Sequence, residues 1–252
     1  GLETAQRLIR TADKLINFTV GLGLILVLLY AGYALWDAYT VYSKAGVSNE
    51  IMFYKPSGKD AANPTLPELQ AVNEDVRAWL AIDGTNIDYP VLQGKANTDY
   101  LNQDINREYS LGGSIFLDCR NARDFGDSYS LIYGHHMDGG AMFGDLANFS
   151  DEKYFNEHAT GWLYLPGKTY SLQFYAFLNV DAYATPMFDV ELNANEYESL
   201  LSYIQTEAIC WREIGVTPQN RIVALSTCSS ATTNGRSILV ARMDEKQSAA
   251  GN

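Results

Sequence analysis

From Leu15 to Trp36 the chain runs for 22 residues without a single charge, and the centre of the run reads VGLGLILVLLYAGYAL. As a helix rising about 1.5 Å per residue, it would reach roughly 33 Å, enough to cross a hydrocarbon core of about 30 Å. A helix packed on a globular core keeps a polar face towards water, and this one has none. The run therefore predicts one membrane anchor. Arg7, Arg10 and Lys14 precede it, with Glu3 and Asp13, and Asp37 follows it. The positive-inside rule then puts the N-terminus in the cytoplasm and everything after Asp37 outside. A cleaved signal peptide is the nearest competing reading. The apolar stretch is long for one, and Gly32-Tyr33-Ala34 is the only approach to a small-residue cleavage site, so an uncleaved anchor is favoured. No second apolar run follows. The expected organisation is a cytoplasmic N-terminus (1–14), a transmembrane anchor (15–36), a juxtamembrane stalk (37–65) and an extracellular domain (66–252).

That division also places the charge. Residues 1–36 hold three basic and two acidic residues, so the rest of the chain carries −13 of the overall −12. An acidic outer part argues against a nucleic-acid partner, which would require a basic face. It is long enough to bury a core without disulfide or metal staples. Its three cysteines, Cys119, Cys210 and Cys228, leave at least one thiol unpaired and form no zinc-binding spacing. A free thiol on an exported protein is exposed to oxidation, so it calls for an explanation.

Short β-rich segments punctuated by Gly, Asn, Asp and Pro dominate after residue 84. Strands are expected at 87–92, 113–118, 128–133, 160–165, 171–180, 221–226 and 237–243. A helix is expected from Pro67 to Leu80, where Leu69, Val72, Val76, Trp79 and Leu80 recur at helical spacing. A second, capped by Asn195, carries an apolar face of Tyr197, Leu200, Leu201 and Ile204. Strands do not alternate with helices, so a doubly wound sheet is not expected. The fold class is mainly β: a closed antiparallel barrel, with one helix in front and one inserted between late strands.

Three positions at strand ends stand out. His135 and His136 follow the strand ending in LIYG, and Gly139-Gly140 mark a tight turn after them. Cys228 ends the strand RIVALSTC. Arg236 opens the next one. A thiol attacks a carbonyl as the thiolate, a histidine supplies the base, and a guanidinium favours the anion. Spacing alone leaves a second possibility open, in which Cys228 is a small core residue and Arg236 a surface cation. Cys119, at the end of an expected strand, and Cys210, at a helix end, read as packing residues. His158 reads as a surface residue.

The segment ALSTC (224–228) followed by Arg236 resembles the sortase signature, a strand ending in T-L-x-T-C with an Arg within about ten positions. Gly134-His135 looks like the sortase histidine. The blocks AWLAIDGTNIDYPVLQG (78–94), GGSIFLDCRN (112–121) and YGHHMDGGAMFGDL (133–146) are similar to class B sortases in particular. The resemblance spans about residues 67–243. Two departures are visible: Cys119 stands where an aromatic is expected, and the histidine is doubled, with His136 as the alternative base. The pilin-polymerising class C fits less well, because its usual lid motif and C-terminal membrane segment are missing.

The resemblance implies a sortase-type barrel and a thiol transpeptidase. Cys228, His135 and Arg236 would be catalytic, and Ser226 and Thr227 would bind substrate. The implied partners are secreted proteins with a C-terminal sorting signal, cleaved after Thr, and an amine of peptidoglycan or its lipid-linked precursor. No metal or organic cofactor is implied. Class B members often favour motifs of the Asn-Pro-x-Thr-Asn pattern. A papain-like chain places its Cys before its His, the reverse of the order here. Two other readings compete with the transpeptidase: a thiol hydrolase that uses water as acceptor, and a non-enzymatic adhesion domain on a membrane stalk.

Overall fold

The uncharged run folds as part of helix α1, Leu2–Ala45. In this computed structural model the described residues are 1–57, 62–183, 185–228 and 234–246; the side chains of Ser43, Lys44 and Cys228 are outside them. Within α1, Leu2–Tyr42 is long and apolar enough to cross a membrane, with a mean hydropathy of 2.1 over its most apolar window and none of that window buried. Within it the Thr19 hydroxyl donates to the Leu15 carbonyl at 2.9 Å. Residues 1–43 form one compact unit and 44–252 a second.

A few residues of the segment expected to be a stalk are packed, although most of its described residues are exposed. Ala45 is buried, and α2 (Asn49–Met52), capped by Ser48, buries Ile51. Ile51 joins Leu66 and Leu69 of α3 (Thr65–Val72) against Trp79. Lys55 pairs with Asp88, whose other carboxylate oxygen accepts the Trp79 indole N–H at 2.7 Å.

The expected helix over 67–80 is only half present, which is a correction. Asn73 turns to an extended φ of −143° and ends α3. Its side chain accepts the Asp75 N–H and donates to the Ile105 carbonyl. Val76–Ile82 is strand β1. Both faces of β1 are covered, Ala78 and Leu80 on one side and Trp79 on the other. A strand buried on both faces reads as a continuous apolar run and hides its period.

The remaining strands are β2 (Asp88–Leu92), β3 (Ile115–Leu117), β4 (Tyr129–Tyr133), β5 (Thr160–Leu165), β6 (Lys168–Asp181), β7 (Cys210–Trp211), β8 (Arg221–Cys228) and β9 (Gly235–Glu245). Helix α4 covers Glu152–Glu157 and α5 Ala194–Glu207. The strands join in the order β5-β1-β2-β3-β4-β8-β9-β6, and β6 pairs back to β5, closing a barrel; β7 extends from β6. Most pairings are antiparallel, but β2–β3 and β4–β8 are parallel, so the closed barrel is a mixed one. Each parallel pair follows a long connection, as parallel neighbours require.

Alternation along the strands fills the barrel with Leu80, Ile115, Ile132, Val223, Leu225 and Leu239, among others. The opposite faces carry two further clusters, one under α3 and one under α5. Fully burying each Leu or Phe contributes about 1.5–3 kcal/mol. Helix α5 starts two residues earlier than expected. Asn193 caps it, forming a capping box with Glu196, and Asn195 lies inside the first turn.

Candidate active site

Gly134 follows β4 directly, and its N–H donates to the Ser226 carbonyl of β8 at 3.1 Å. No side chain fits there: a Cβ would run into the Ile115 methyl and come within 2.7 Å of the Phe143 ring. The chain then enters a tight loop in which the Phe143 N–H donates to the His135 carbonyl at 2.9 Å. Tyr89 accepts the Met142 N–H through its hydroxyl, pinning the return of the loop. His135 is thereby held at the barrel end.

The His135 Nε2 lies 2.8 Å from the Leu101 carbonyl. A carbonyl only accepts, so Nε2 carries the proton in this contact and Nδ1 is the nitrogen free to take one. His136 forms an isolated backbone bridge with Met142, and its Nδ1 is buried without a hydrogen-bond partner among the described residues.

Strand β8 brings Ser226, Thr227 and Cys228 to the same end. Its backbone pairs Ser226 with Tyr133 on one side, and Thr227 with Ser237 and Cys228 with Arg236 on the other. Cross-strand partners share a sheet face, so positions 228 and 236 do so here. The Cys228 side chain and residues 229–233 lie outside the described residues. Arg236 is half-buried, and its Nη1 donates to the Gly235 carbonyl at 2.9 Å.

A cavity of about 270 Å³ opens at this point, lined by His135, Ser226, Thr227 and Arg236 together with Leu101, Phe116, Tyr133 and Phe188. His136 is not among its lining residues. The Ser226 and Thr227 hydroxyls are buried and have no hydrogen-bond partner among the described residues. A buried hydroxyl left unpaired is costly. No group of three or more His, Cys, Asp or Glu side chains among the described residues is placed to hold a metal.

The other expected outliers are structural in setting. Cys119 lies just past β3, half-buried, and its N–H donates to Asn97. Cys210 is in β7, with its thiol donating to the Ser150 carbonyl; burial, and then the charges of Glu152 and Asp151, push that thiol up. His158 is half-buried, stacked on Tyr154 at 3.9 Å with Nδ1 against the Tyr154 carbonyl.

The sequence reading did not single out the aromatic walls or what holds them. Tyr133 sits between Phe116 and Phe188, with ring centroids at 5.3 and 6.3 Å. Its hydroxyl donates to Asp118 at 2.9 Å. The Asp118 side chain is fully buried and accepts five hydrogen bonds: Arg120 Nε, Nη2 and backbone N–H, Asn97 Nδ2 and the Tyr133 hydroxyl. Burial alone would push the Asp118 carboxyl up; the Arg120 guanidinium and the other donors outweigh it and hold the carboxyl below the usual range. Tyr133 is pushed up by burial and by the Asp118 charge.

A stability prediction follows from this sign. An aspartate in an unfolded chain titrates near about pH 4. The folded value lies lower, so the ionised carboxylate contributes fully at neutral pH, and its contribution is lost as the pH falls through the folded value. Asp118→Asn should cost about 3 kcal/mol at neutral pH, as breaking a buried ion pair does, and should flatten the acid side of the stability curve. Denaturant titrations at neutral and acid pH check this; equal acid sensitivity in the variant would contradict it.

Against known proteins, a family model described as a sortase domain matches residues 80–244. Sortase B of Listeria monocytogenes is 32% identical over 198 residues, covering 77% of this chain and 76% of that protein. A solved class B sortase of Streptococcus pyogenes involved in pilus biogenesis is 40% identical, with a TM-score of 0.64 over 71% of this chain and 97% of the other. A Staphylococcus aureus sortase B–substrate complex superposes with a TM-score of 0.69 at 29% identity, covering 75% and 88% of the two chains.

Proposed function

Because the chain belongs to the sortase family, we propose that Cys228, His135 and Arg236 are its catalytic groups and that Ser226 and Thr227 hold the substrate backbone. Its class B relatives make it a cysteine transpeptidase that cleaves sorting motifs. The supporting observation is convergence: His135, Ser226, Thr227 and Arg236 line one cavity, and β8–β9 pairing sets Cys228 opposite Arg236.

In the proposed reaction the Cys228 thiolate attacks the Thr carbonyl of a C-terminal sorting motif, forming the Sγ–C bond. The tetrahedral intermediate collapses by breaking the C–N bond, and His135 gives its proton to the leaving amine. Arg236 donates to the developing oxyanion, a contribution of about 3–4 kcal/mol for a well-placed donor. An incoming amine, deprotonated by His135, attacks the thioester, and the thiolate leaves. The substrates are secreted proteins of this type, and the acceptor is a peptidoglycan amine. Residues 15–36 would span the cell membrane, with 1–14 cytoplasmic and 66–252 the extracellular catalytic domain.

The 40% identity to a class B sortase involved in pilus biogenesis favours a second reading of the acceptor, an amine on another surface protein. An internally quenched peptide of the Asn-Pro-x-Thr-Asn pattern, with Gln at x, separates the readings. With triglycine or with an Nα-blocked lysine peptide as acceptor, we expect amine-dependent joining, the better acceptor favoured by about tenfold in kcat/KM. Cleavage at equal rate with and without amine would instead identify a hydrolase, and neither product would leave the adhesion domain.

A further inference from the structure

The geometry points to Arg120 as a positioning residue for substrate selection: it fixes the Phe188 wall of the catalytic cavity against the Tyr133 wall, with buried Asp118 as their common anchor. This rests on the proposal that the cavity receives the sorting motif.

Three contacts carry it. Arg120 Nη2 donates at once to Asp118 Oδ2 and, at 2.8 Å, to the Phe188 carbonyl, 68 residues away. The preceding carbonyl, of Met187, accepts the Tyr129 hydroxyl at 2.7 Å. The segment bearing Phe188 is therefore tied by successive carbonyls to the turn after β3 and to β4. Its own internal bonds are few: Met187 N–H to the Thr185 hydroxyl, and Asp189 N–H to the Pro186 carbonyl. The Phe188 ring lies almost parallel to Tyr133, with an interplanar angle of 9°. Tyr133 cannot turn freely either, because its hydroxyl is held by the same Asp118 oxygen that meets Arg120. Both movable walls of the cavity thus hang on one carboxylate. None of these contacts touches His135, Arg236 or the Cys228 backbone, so loosening them should change how substrate is held, while the chemistry stays the same.

Lysine separates the two duties of Arg120. It keeps the positive charge beside Asp118 but lacks the planar fork that serves two acceptors in fixed directions. In Arg120→Lys we expect KM for the Asn-Pro-Gln-Thr-Asn peptide to rise about tenfold with kcat within about twofold of the parent. Amide exchange at 187–189 should accelerate by about tenfold while β8 amides stay protected. Phe188→Ala should raise KM at least as much, and adding Arg120→Lys to it should change little further. Unchanged KM and unchanged exchange in Arg120→Lys would overturn the proposal, as would a fall in kcat at constant KM. A parent enzyme inert to the peptide would instead sink the functional reading, and the exchange measurement would still decide the role of Arg120.

Discussion

Replacing Cys228 by alanine should abolish both joining and cleavage of a sorting peptide, while Cys119→Ala and Cys210→Ala keep most of the activity. The asymmetry follows from setting. Cys210 is buried with a thiol pushed up by that burial and by two nearby acids. Cys119 sits in a turn, with its N–H engaged by Asn97. Only position 228 closes a strand opposite Arg236 and beside a cavity that holds an imidazole. His135→Ala should be nearly as severe, because losing a general acid–base typically costs about 10²–10⁴ in rate. His136→Ala should stay within severalfold, since His136 does not line the cavity. Full activity in Cys228→Ala would end the mechanism. A dead His136→Ala beside an active His135→Ala would move the base to the neighbouring ring.

The sites that were legible in the sequence were those announced by strand ends. RIVALSTC alternates between the barrel interior and the α5 side, so its last residues fall at a rim, and Gly134 marks the tight exit from β4. The aromatic walls were not legible. Phe188 reaches Arg120 across 68 residues and Tyr129 reaches Met187 across 58, and no local period encodes contacts of that span. Asp118-x-Arg120 did carry a local signal, an acid and a base two apart at a strand end, but its meaning lay in the distant Tyr133. The parallel pairing of β4 with β8 was hidden for the same reason: it joins strands nearly a hundred residues apart. Strand β1 reads as helix because burial on both faces erases its alternation. The segment around the end of α1 reads as a stalk because its buried apolar residues, Ala45 and Ile51, are few and far apart.

Gly113→Ala should damage catalysis from outside the cavity. Gly113 has φ +57°, a left-handed conformation that costs an L-residue about 1 kcal/mol. Space is the larger problem. A Cβ there would collide with the Leu101 carbonyl oxygen and approach the Tyr100 carbonyl oxygen to 2.6 Å. Both are backbone atoms, so no side-chain rotation relieves the clash. The Tyr100 carbonyl already accepts the Ser114 N–H at 3.0 Å, which ties it in place. Relief must come from moving Leu101, whose carbonyl receives the His135 Nε2 proton at 2.8 Å. A shifted carbonyl releases the imidazole from its tautomer and direction, and misplacement by about 1 Å can cost about 10²-fold in rate. The variant should therefore lose about 2–4 kcal/mol of stability and about 100-fold in kcat when assayed well below its melting point. Gly167→Ala provides the comparison. Its φ is +79°, but nothing lies within 4 Å of its Cβ position. It should lose about 1 kcal/mol and keep its kcat. If both variants lose stability but retain parental kcat, the Leu101 carbonyl does not orient His135, and the proton relay must be held by the loop backbone alone.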